Sequence, residues 1–188
     1  MKQHARVVVI GGGALGAGLL YFLTKEGWDD VVLIEKGELT SGSTWHAAGL
    51  IPHFIGGLSM AKVHQEGPAL YRTLEAEPGQ ATGWHGCGAI RLALTDEEVD
   101  WFHYVKGILD TVGSECHLIS PSEILKLHPL LVVDDVKLGF YTPNDGHTDP
   151  ASATNAMAAG ARQGGATIYR HTRVTGTRLL DNGEWEVT

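Results

Sequence analysis

The stretch RVVVIGGGALGAGLLYFLTKEGWDDVVLIEK, residues 6–36, decides the fold. Its first part, Arg6–Ile10, is a short run rich in β-branched residues and is typical of a strand buried on both faces. Ala14–Glu26 has the apolar spacing of a helix and stops before Gly27, a residue that suits a helix C-terminus. Val31–Ile34 reads as a second buried strand. The order strand, helix, strand predicts a β-α-β unit.

A glycine-rich turn, GGGALG, joins the first strand to the helix and fits the pattern G-x-G-x-x-G through Gly11, Gly13 and Gly16. The first glycine permits a tight turn, the second lets a pyrophosphate approach the main chain, and the third lets helix and strand pack closely. The helix N-terminus adds free N–H groups and a partial positive charge. Glu35 ends the second strand, where a carboxylate can accept hydrogen bonds from ribose hydroxyls. These features predict adenine-dinucleotide binding, with a tight turn in an α/β domain without ligand as the alternative.

The acid at position 35 also bears on which dinucleotide is bound. A carboxylate at this strand end disfavours a 2′-phosphate, so NADP is the least favoured ligand. NAD and FAD present the same adenosine diphosphate, and this motif does not separate them.

The composition is that of a folded chain of one domain, or of one domain and part of another. Of the 188 residues 43% are hydrophobic, and the net charge of -8 argues against nucleic acid or membrane held by bulk charge. Cys87 and Cys116 form no disulfide framework and no metal-ligand spacing, which indicates a reducing compartment and no metal. No apolar stretch approaches the roughly 20 residues of a membrane span. We therefore expect a soluble, cytoplasmic protein without membrane or nucleic-acid partners.

Three stretches of the sequence resemble one known family: VVVIGGGALG, DVVLIEKGELTSGSTWHAAGL and YTPNDGHTDPASATNAMAAGARQGGA. They are similar to the FAD-dependent amine oxidoreductases of the D-amino acid oxidase superfamily, in particular to its dimethylglycine and sarcosine dehydrogenase branch. The similarity runs along nearly all of the chain, and GSTWHAAG is its most specific part. NDGHTDP favours the dimethylglycine type, although Asn144 stands where the family pattern has glycine.

The resemblance implies an α/β fold, with a Rossmann-like FAD-binding domain and part of an inserted α+β substrate domain. Residues 1–80 would belong to the FAD-binding domain, 81–145 to a partial substrate domain, and 146–188 to a truncated return to the FAD-binding domain. Family members continue with further flavin and substrate segments, and the dehydrogenases add a folate-binding region. We therefore expect an N-terminal part of a longer protein, whose later region would bind tetrahydrofolate.

In the same branch, the histidine of GSTWHAAG carries the flavin through a covalent bond to its 8α-methyl carbon, which implies this role for His46. A neutral imidazole is an available nucleophile at neutral pH, whereas a lysine is mostly protonated. The properties of His46 and its small neighbours, taken alone, favour a histidine packed in the core. The motif as a whole favours covalent attachment of the flavin.

The resemblance also implies the rest of the cofactor site. Glu35 and Lys36 would hold the adenosine ribose region, residues 42–50 would wrap the pyrophosphate, ribityl chain and flavin edge, and the main chain of Val174 would meet the adenine. Trp45 would pack near the flavin ring, or would be ordinary core. The expected FAD-binding residues are Gly11, Gly13, Ala14, Leu15, Gly16, Glu35, Lys36, Gly42, Ser43, Thr44, Trp45, His46, Ala47, Ala48, Gly49, Leu50 and Val174.

The middle of the chain predicts alternating helices and strands. Residues 59–75 form an amphipathic pattern that the EGP triplet at 66–68 is expected to interrupt or split. Residues 87–94 read as a strand. Two capping boxes follow, Thr95 with Glu98 and Ser120 with Glu123, and each predicts a helix start.

The loop TPNDGHTDP allows a catalytic interpretation of Asp145, His147 and Asp149, beside a purely structural one. In the structural interpretation residues 144–146 form a turn, Asp149 caps a helix and Pro150 takes its first position. His85, His117 and His128 show no ligand geometry.

After that helix, ATIYRHTRVTGTRLL, residues 166–180, predicts a strand, and DNG turns the chain into EWEVT.

The activity that the resemblance implies is oxidation of a small N-methylated amino acid, such as dimethylglycine or sarcosine. A hydride would pass from the N-methyl carbon to the flavin, and an electron-transfer flavoprotein or oxygen would accept the electrons. No catalytic base is identifiable, and a eukaryotic, processed form would lie in the mitochondrial matrix. The alternatives are a regulatory homologue that keeps the flavin fold without turnover, and an NAD-dependent dehydrogenase, against which the His46 motif argues.

Overall fold

The computed structural model describes residues 1–77 and 79–188. In chain order the elements are β1 Val7–Ile10, α1 Ala14–Lys25, β2 Val31–Ile34, a 3₁₀ turn Thr44–His46, β3 Leu50–Ile51, α2 Leu58–Ala76, β4 Ala89–Ala93, α3 Asp96–Val112, β5 His117–Ile119, α4 Pro121–Leu127, β6 Leu138–Thr142, β7 Gly146–His147, α5 Pro150–Gln163, β8 Thr167–Tyr169, β9 Thr177–Leu179 and β10 Trp185–Val187.

The chain divides into two compact units. The first comprises Met1–Gly49, Thr73–Gly83 and Asp149–Thr188, and the second comprises Leu50–Arg72 and Trp84–Thr148. Residues 50–72, which were expected in the FAD-binding domain, therefore pack within the second unit.

A parallel sheet in the order β1-β2-β8 forms the centre of the first unit. The predicted β-α-β unit is confirmed, with Val8 opposite Val32 in the register and every residue of β2 buried. Helices α1 and α5 pack together so closely that a Cβ at Gly160 would lie 2.7 Å from the ring of Tyr21. Glycine at position 160 thus permits this helix contact.

The prediction of one strand through residues 166–180 is wrong for the residues between Tyr169 and Thr177. The chain leaves β8 after Tyr169 and resumes as a strand only at β9, which pairs antiparallel with β10 across the DNG turn. Between them His171 adopts a left-handed conformation with φ of 53°. The main-chain N–H of His171 donates to Gly37 O, and that of Thr172 donates to Glu35 O. Hydrogen bonds to the loop after β2 thus replace sheet pairing here.

An antiparallel sheet in the order β4-β6-β5 organises the second unit. Its core contains Phe102, Val105, Leu109 and Phe140, and the Phe102 and Phe140 rings meet edge to face with centroids 5.5 Å apart. Both predicted capping boxes are confirmed, at the starts of α3 and α4. Among the described residues no helix is both long and apolar enough to cross a lipid bilayer.

Helix α2 continues through Pro68, so the predicted interruption is wrong. A proline inside a helix removes one hydrogen bond, and its ring also clashes with the residue before it. That residue is Gly67, which has no Cβ to clash, and Pro68 itself is buried. Gln65 Nε2 also donates to Val112 O at 2.6 Å, which holds this part of α2 in the second unit. Packing therefore outweighs the single lost main-chain bond.

Candidate functional site

The glycine turn after β1 has a geometry that requires glycine. Gly11 has a φ of 106°, a conformation that residues with a side chain rarely adopt, and the space around it is open. A Cβ at Gly16 would lie 1.9 Å from Gly11 O, so the helix can approach the turn only without a side chain there. This is the close approach that the motif predicts for dinucleotide binding.

The N-cap residue of helix α1 is Gly13, which has no side chain of its own to cap the helix. Among the hydrogen bonds of residues 1–77 and 79–188, none engages the N–H of Gly13 or Leu15. Leu15 is 92% exposed, so this residue lies at the surface of the unit. Free N–H groups at a helix N-terminus bind anions, and the open turn leaves room for a pyrophosphate. The residues present therefore fit the phosphates of a dinucleotide.

Glu35 is only 8% exposed, and both of its carboxylate oxygens accept main-chain hydrogen bonds. Oε2 accepts from Gly12 N and Oε1 accepts from Gly37 N, each at 2.7 Å. Burial by itself would raise the pKa of Glu35, but these bonds and the charge of Lys36 outweigh it, so the pKa lies below its ordinary value. The carboxylate is thus ionised at neutral pH. A carboxylate has about four lone-pair sites, so it can accept further hydrogen bonds besides these.

The segment with His46 lies in the same unit as the glycine turn. Thr44 is buried, and its Oγ1 accepts a hydrogen bond from Ala14 N at 2.9 Å. Trp45 is 61% exposed, and its ring contacts the imidazole of His46 in a tilted arrangement with centroids 3.9 Å apart. His46 is itself exposed, so it is not the packed core histidine that its residue type and small neighbours alone favour.

The other expected site residues are distributed over both units. Gly42, Ser43, Ala47 and Ala48 are exposed in the first unit, together with Lys36. Gly49 has a φ of 75° and ends a segment of the first unit, whereas Leu50 begins the second and is 70% exposed. Val174 is half-buried and lies outside any strand. Within the first unit the structure thus joins Glu35 to the glycine turn, and Thr44 to the start of α1.

The second unit contains a buried pair, His53 and Asp145, and no sequence motif indicates a role for His53. Nδ1 of His53 lies 2.6 Å from Oδ1 of Asp145, which also accepts from the main-chain N of His53 at 2.8 Å. Thr142 Oγ1 donates to Oδ2 of Asp145 at 2.6 Å. His53 Nε2 has no hydrogen-bond partner in the part of the chain that the structure describes. A carboxylate that orients an imidazole in this way is an arrangement that general bases use.

The expected turn at residues 144–146 differs from the observed one. Asp145 N donates to Thr142 O, so the turn is centred on Pro143 and Asn144, and Asp145 is only 1% exposed. Arg91 lies nearby, with Nη1 3.9 Å from Oδ2 of Asp145. Burial lowers the pKa of Arg91, and the Asp145 carboxylate partly opposes this effect. The carboxylate of Asp145 therefore lies in the interior of the second unit.

The two other polar residues of that loop have structural partners. His147 exchanges two main-chain hydrogen bonds with His85, at 2.8 and 3.1 Å. Asp149 accepts from Ser152 N at 2.7 Å and caps α5, with Pro150 at the first helical position, as the structural interpretation predicts.

Comparison with known proteins gives consistent matches. The sequence profile of the family described as FAD dependent oxidoreductase (DAO) matches residues 6–188. Dimethylglycine dehydrogenase, mitochondrial, of Rattus norvegicus is 46% identical over 186 residues, which are 99% of this chain and 22% of that protein. Sarcosine dehydrogenase, mitochondrial, of Homo sapiens is 38% identical over 183 residues, 95% of this chain and 20% of that protein. The chain thus spans about a fifth of the length of these relatives.

The fold also matches solved structures. The crystal structure of L-proline dehydrogenase from P.horikoshii superposes with a TM-score of 0.90 at 30% identity, covering 100% of this chain and 48% of that one.

Proposed function

Because the chain belongs to the DAO family of FAD dependent oxidoreductases, we propose that it binds FAD and takes part in oxidising a small N-methylated amino acid. Both the resemblance to this family and the α/β flavin-binding fold that it implies are confirmed. The substrate class is supported by the relatives, which are named for dimethylglycine and sarcosine. The first compact unit would be the FAD-binding part, and the second would be part of the substrate domain.

The observation that carries the proposal is the arrangement of the first unit, where an ionised Glu35 and the open N-terminus of α1 flank one glycine turn. The N–H groups of Gly13 and Leu15 would bind the pyrophosphate, and Glu35 would accept from ribose hydroxyls. Bound FAD supplies a ring that accepts two electrons and a proton from the substrate carbon.

We propose that His46 is bonded to the 8α carbon of the flavin. An imidazole nitrogen of His46 would replace one hydrogen of the methyl group. One proton would leave from the methyl carbon and one from the imidazole N–H, and the two electrons released would pass to the electron acceptor of the enzyme. Support comes from the matched motif GSTWHAAG and from the exposure of the ring, which leaves it accessible. Attachment would hold the cofactor in place and make it easier to reduce.

The substrate amine must be unprotonated before its N-methyl carbon can give up a hydride, so the reaction needs a proton acceptor. We propose His53 for this role, because Asp145 engages its Nδ1 and leaves Nε2 free of partners among the described residues. His53→Asn should lower kcat/KM of the full-length protein by about a hundredfold or more, because positioned proton acceptors contribute factors of this size. An unchanged kcat/KM would assign the proton to another group.

The electron acceptor would be an electron-transfer flavoprotein or oxygen, and tetrahydrofolate would bind outside these residues and capture the one-carbon product. For location we propose the cytoplasm, or the mitochondrial matrix in a eukaryotic cell, since both relatives named above are described as mitochondrial.

The test uses the full-length protein. After acid denaturation the flavin should remain with the polypeptide, and a tryptic peptide containing His46 should carry the flavin mass. His46→Ala should bind FAD only reversibly, whereas His117→Ala, a change at an exposed histidine of the second unit, should retain covalent flavin. Dimethylglycine and sarcosine should bleach the flavin absorbance. Flavin without bleaching by either amine would favour the regulatory alternative, and protein without flavin would overturn the proposal.

A further inference from the structure

A hydrogen bond joins the start of helix α1 to the segment that contains His46. Ala14 is the first residue of α1, and its N–H has no acceptor within the helix. Thr44, 30 positions later, supplies one, because its Oγ1 lies 2.9 Å from Ala14 N. The cap that Gly13 cannot provide is therefore supplied by a distant side chain.

The approach of Thr44 to the glycine turn is close. A Cβ at Gly13 would lie 3.0 Å from Thr44 Oγ1, which is tighter than ordinary side-chain contacts. Glycine at position 13 thus lets the threonine hydroxyl reach the helix start. Thr44 is also only 9% exposed, so the packing around it limits its movement.

The link from Thr44 to His46 is short and held by main-chain hydrogen bonds. The two residues belong to one 3₁₀ turn, in which His46 N donates to Ser43 O at 3.2 Å and Ala47 N donates to Thr44 O at 3.1 Å. The ring of Trp45 packs against the imidazole of His46, tilted by 34° from it. The hydroxyl at Thr44 consequently fixes the position of the turn that presents the imidazole.

We propose that Thr44 is a positioning residue that holds His46 in register with the glycine turn, and so sets the rate at which the flavin becomes covalently attached. The inference rests on the proposed attachment at His46. Thr44 itself touches none of the reacting atoms in this role. Its hydroxyl matters because the flavin, bound through its phosphates at α1, meets the imidazole at a place that the Ala14–Thr44 bond determines. Small displacements of a reacting group slow a reaction by as much as about a hundredfold.

The experiment follows acid-resistant flavin over time after FAD is added to full-length apoprotein. Thr44→Val keeps the shape of the side chain and removes the acceptor, and it should slow attachment on the order of tenfold to a hundredfold. Thr44→Ser keeps a hydroxyl and should restore most of the rate. His46→Ala cannot form the covalent bond, so FAD affinity can be measured in it separately. Adding Thr44→Val to His46→Ala should lower FAD affinity by a smaller factor than Thr44→Val lowers the attachment rate when His46 is present. Thermal unfolding of each variant shows whether it is folded.

The outcomes separate the two claims. Wild-type protein that releases all of its flavin in acid would overturn the attachment and this inference with it. Wild-type protein that retains flavin while Thr44→Val reacts at the same rate would overturn this inference alone. A loss of affinity in the His46→Ala background as large as the loss of rate would assign Thr44 to binding instead. Thr44→Ser that is folded but as slow as Thr44→Val would also contradict a role for the hydroxyl.

Discussion

His53 and Asp145 form a buried imidazole–carboxylate pair, with Nδ1 of His53 2.6 Å from Oδ1 of Asp145 across 92 positions of sequence. The same carboxylate accepts from the main chain of His53 and from Thr142. It therefore links the segment after β3 to the end of β6 within the second unit.

Asp145→Ala should destabilise the protein by about 3 kcal/mol or more, because buried donors on His53 and Thr142 lose their acceptor. Urea denaturation of the full-length protein measures the change. The control is Asp135→Ala, at an exposed aspartate of the same unit, which should stay within about 0.5 kcal/mol of wild type. Equal effects of the two substitutions would contradict the importance of the pair.

Gly16→Ala should abolish FAD loading, because the new Cβ would lie 1.9 Å from Gly11 O and force the turn and helix apart. Gly18→Ala in the same helix is the matched control. Its Cβ would meet Met157 Sδ at 3.5 Å, an ordinary contact, and alanine favours a helix by roughly 1 kcal/mol over glycine. Flavin content after purification and the unfolding midpoint distinguish the two variants. Full loading of Gly16→Ala would disprove the steric argument.

Glu35 should make stability depend on pH in the acidic range. Its pKa is lower in the folded chain than the ordinary 4.5, so its ionised form stabilises the fold above that pH. This contribution is lost as the pH falls through the lowered pKa. The difference in unfolding free energy between wild type and Glu35→Gln should therefore be largest near neutral pH and shrink below 4.5. A difference that is constant with pH would show that ionisation of Glu35 does not matter.

Glu35 should also matter for cofactor loading. Glu35→Ala removes up to two charge-assisted hydrogen bonds to ribose hydroxyls, each worth about 1.5 to 3 kcal/mol, so FAD content after expression should fall clearly. The absorbance ratio of flavin to protein measures it. Unchanged loading would place the ribose elsewhere.

Thr95→Ala should cost about 1 kcal/mol, because the side chain of Thr95 accepts from Glu98 N at the start of α3. Thr95→Ser keeps the acceptor and should be close to wild type. Urea denaturation compares the two, and a Thr95→Ser variant as unstable as Thr95→Ala would count against the cap.

Much of the fold could be predicted from the sequence because its signals are local. The β-α-β unit follows from apolar spacing over a few turns or strands, and the caps at Thr95, Ser120 and Asp149 act on N–H groups three residues away. The close approach of Gly16 to Gly11 belongs to the same class, since the two residues are five positions apart. Such features depend only on residues a few positions apart, so they can be predicted from the sequence without the tertiary structure.

Other features were decided by tertiary structure, because their energies depend on groups that meet only after folding. Helix α2 continues through Pro68 since the proline is buried, and the strand predicted after Tyr169 breaks where His171 and Thr172 bind the loop after β2. Likewise, no local pattern pairs Thr44 with Ala14 or His53 with Asp145. A hydrogen bond gains most where burial removes the competition of water, and burial is a property of the packed chain, not of any short stretch of it.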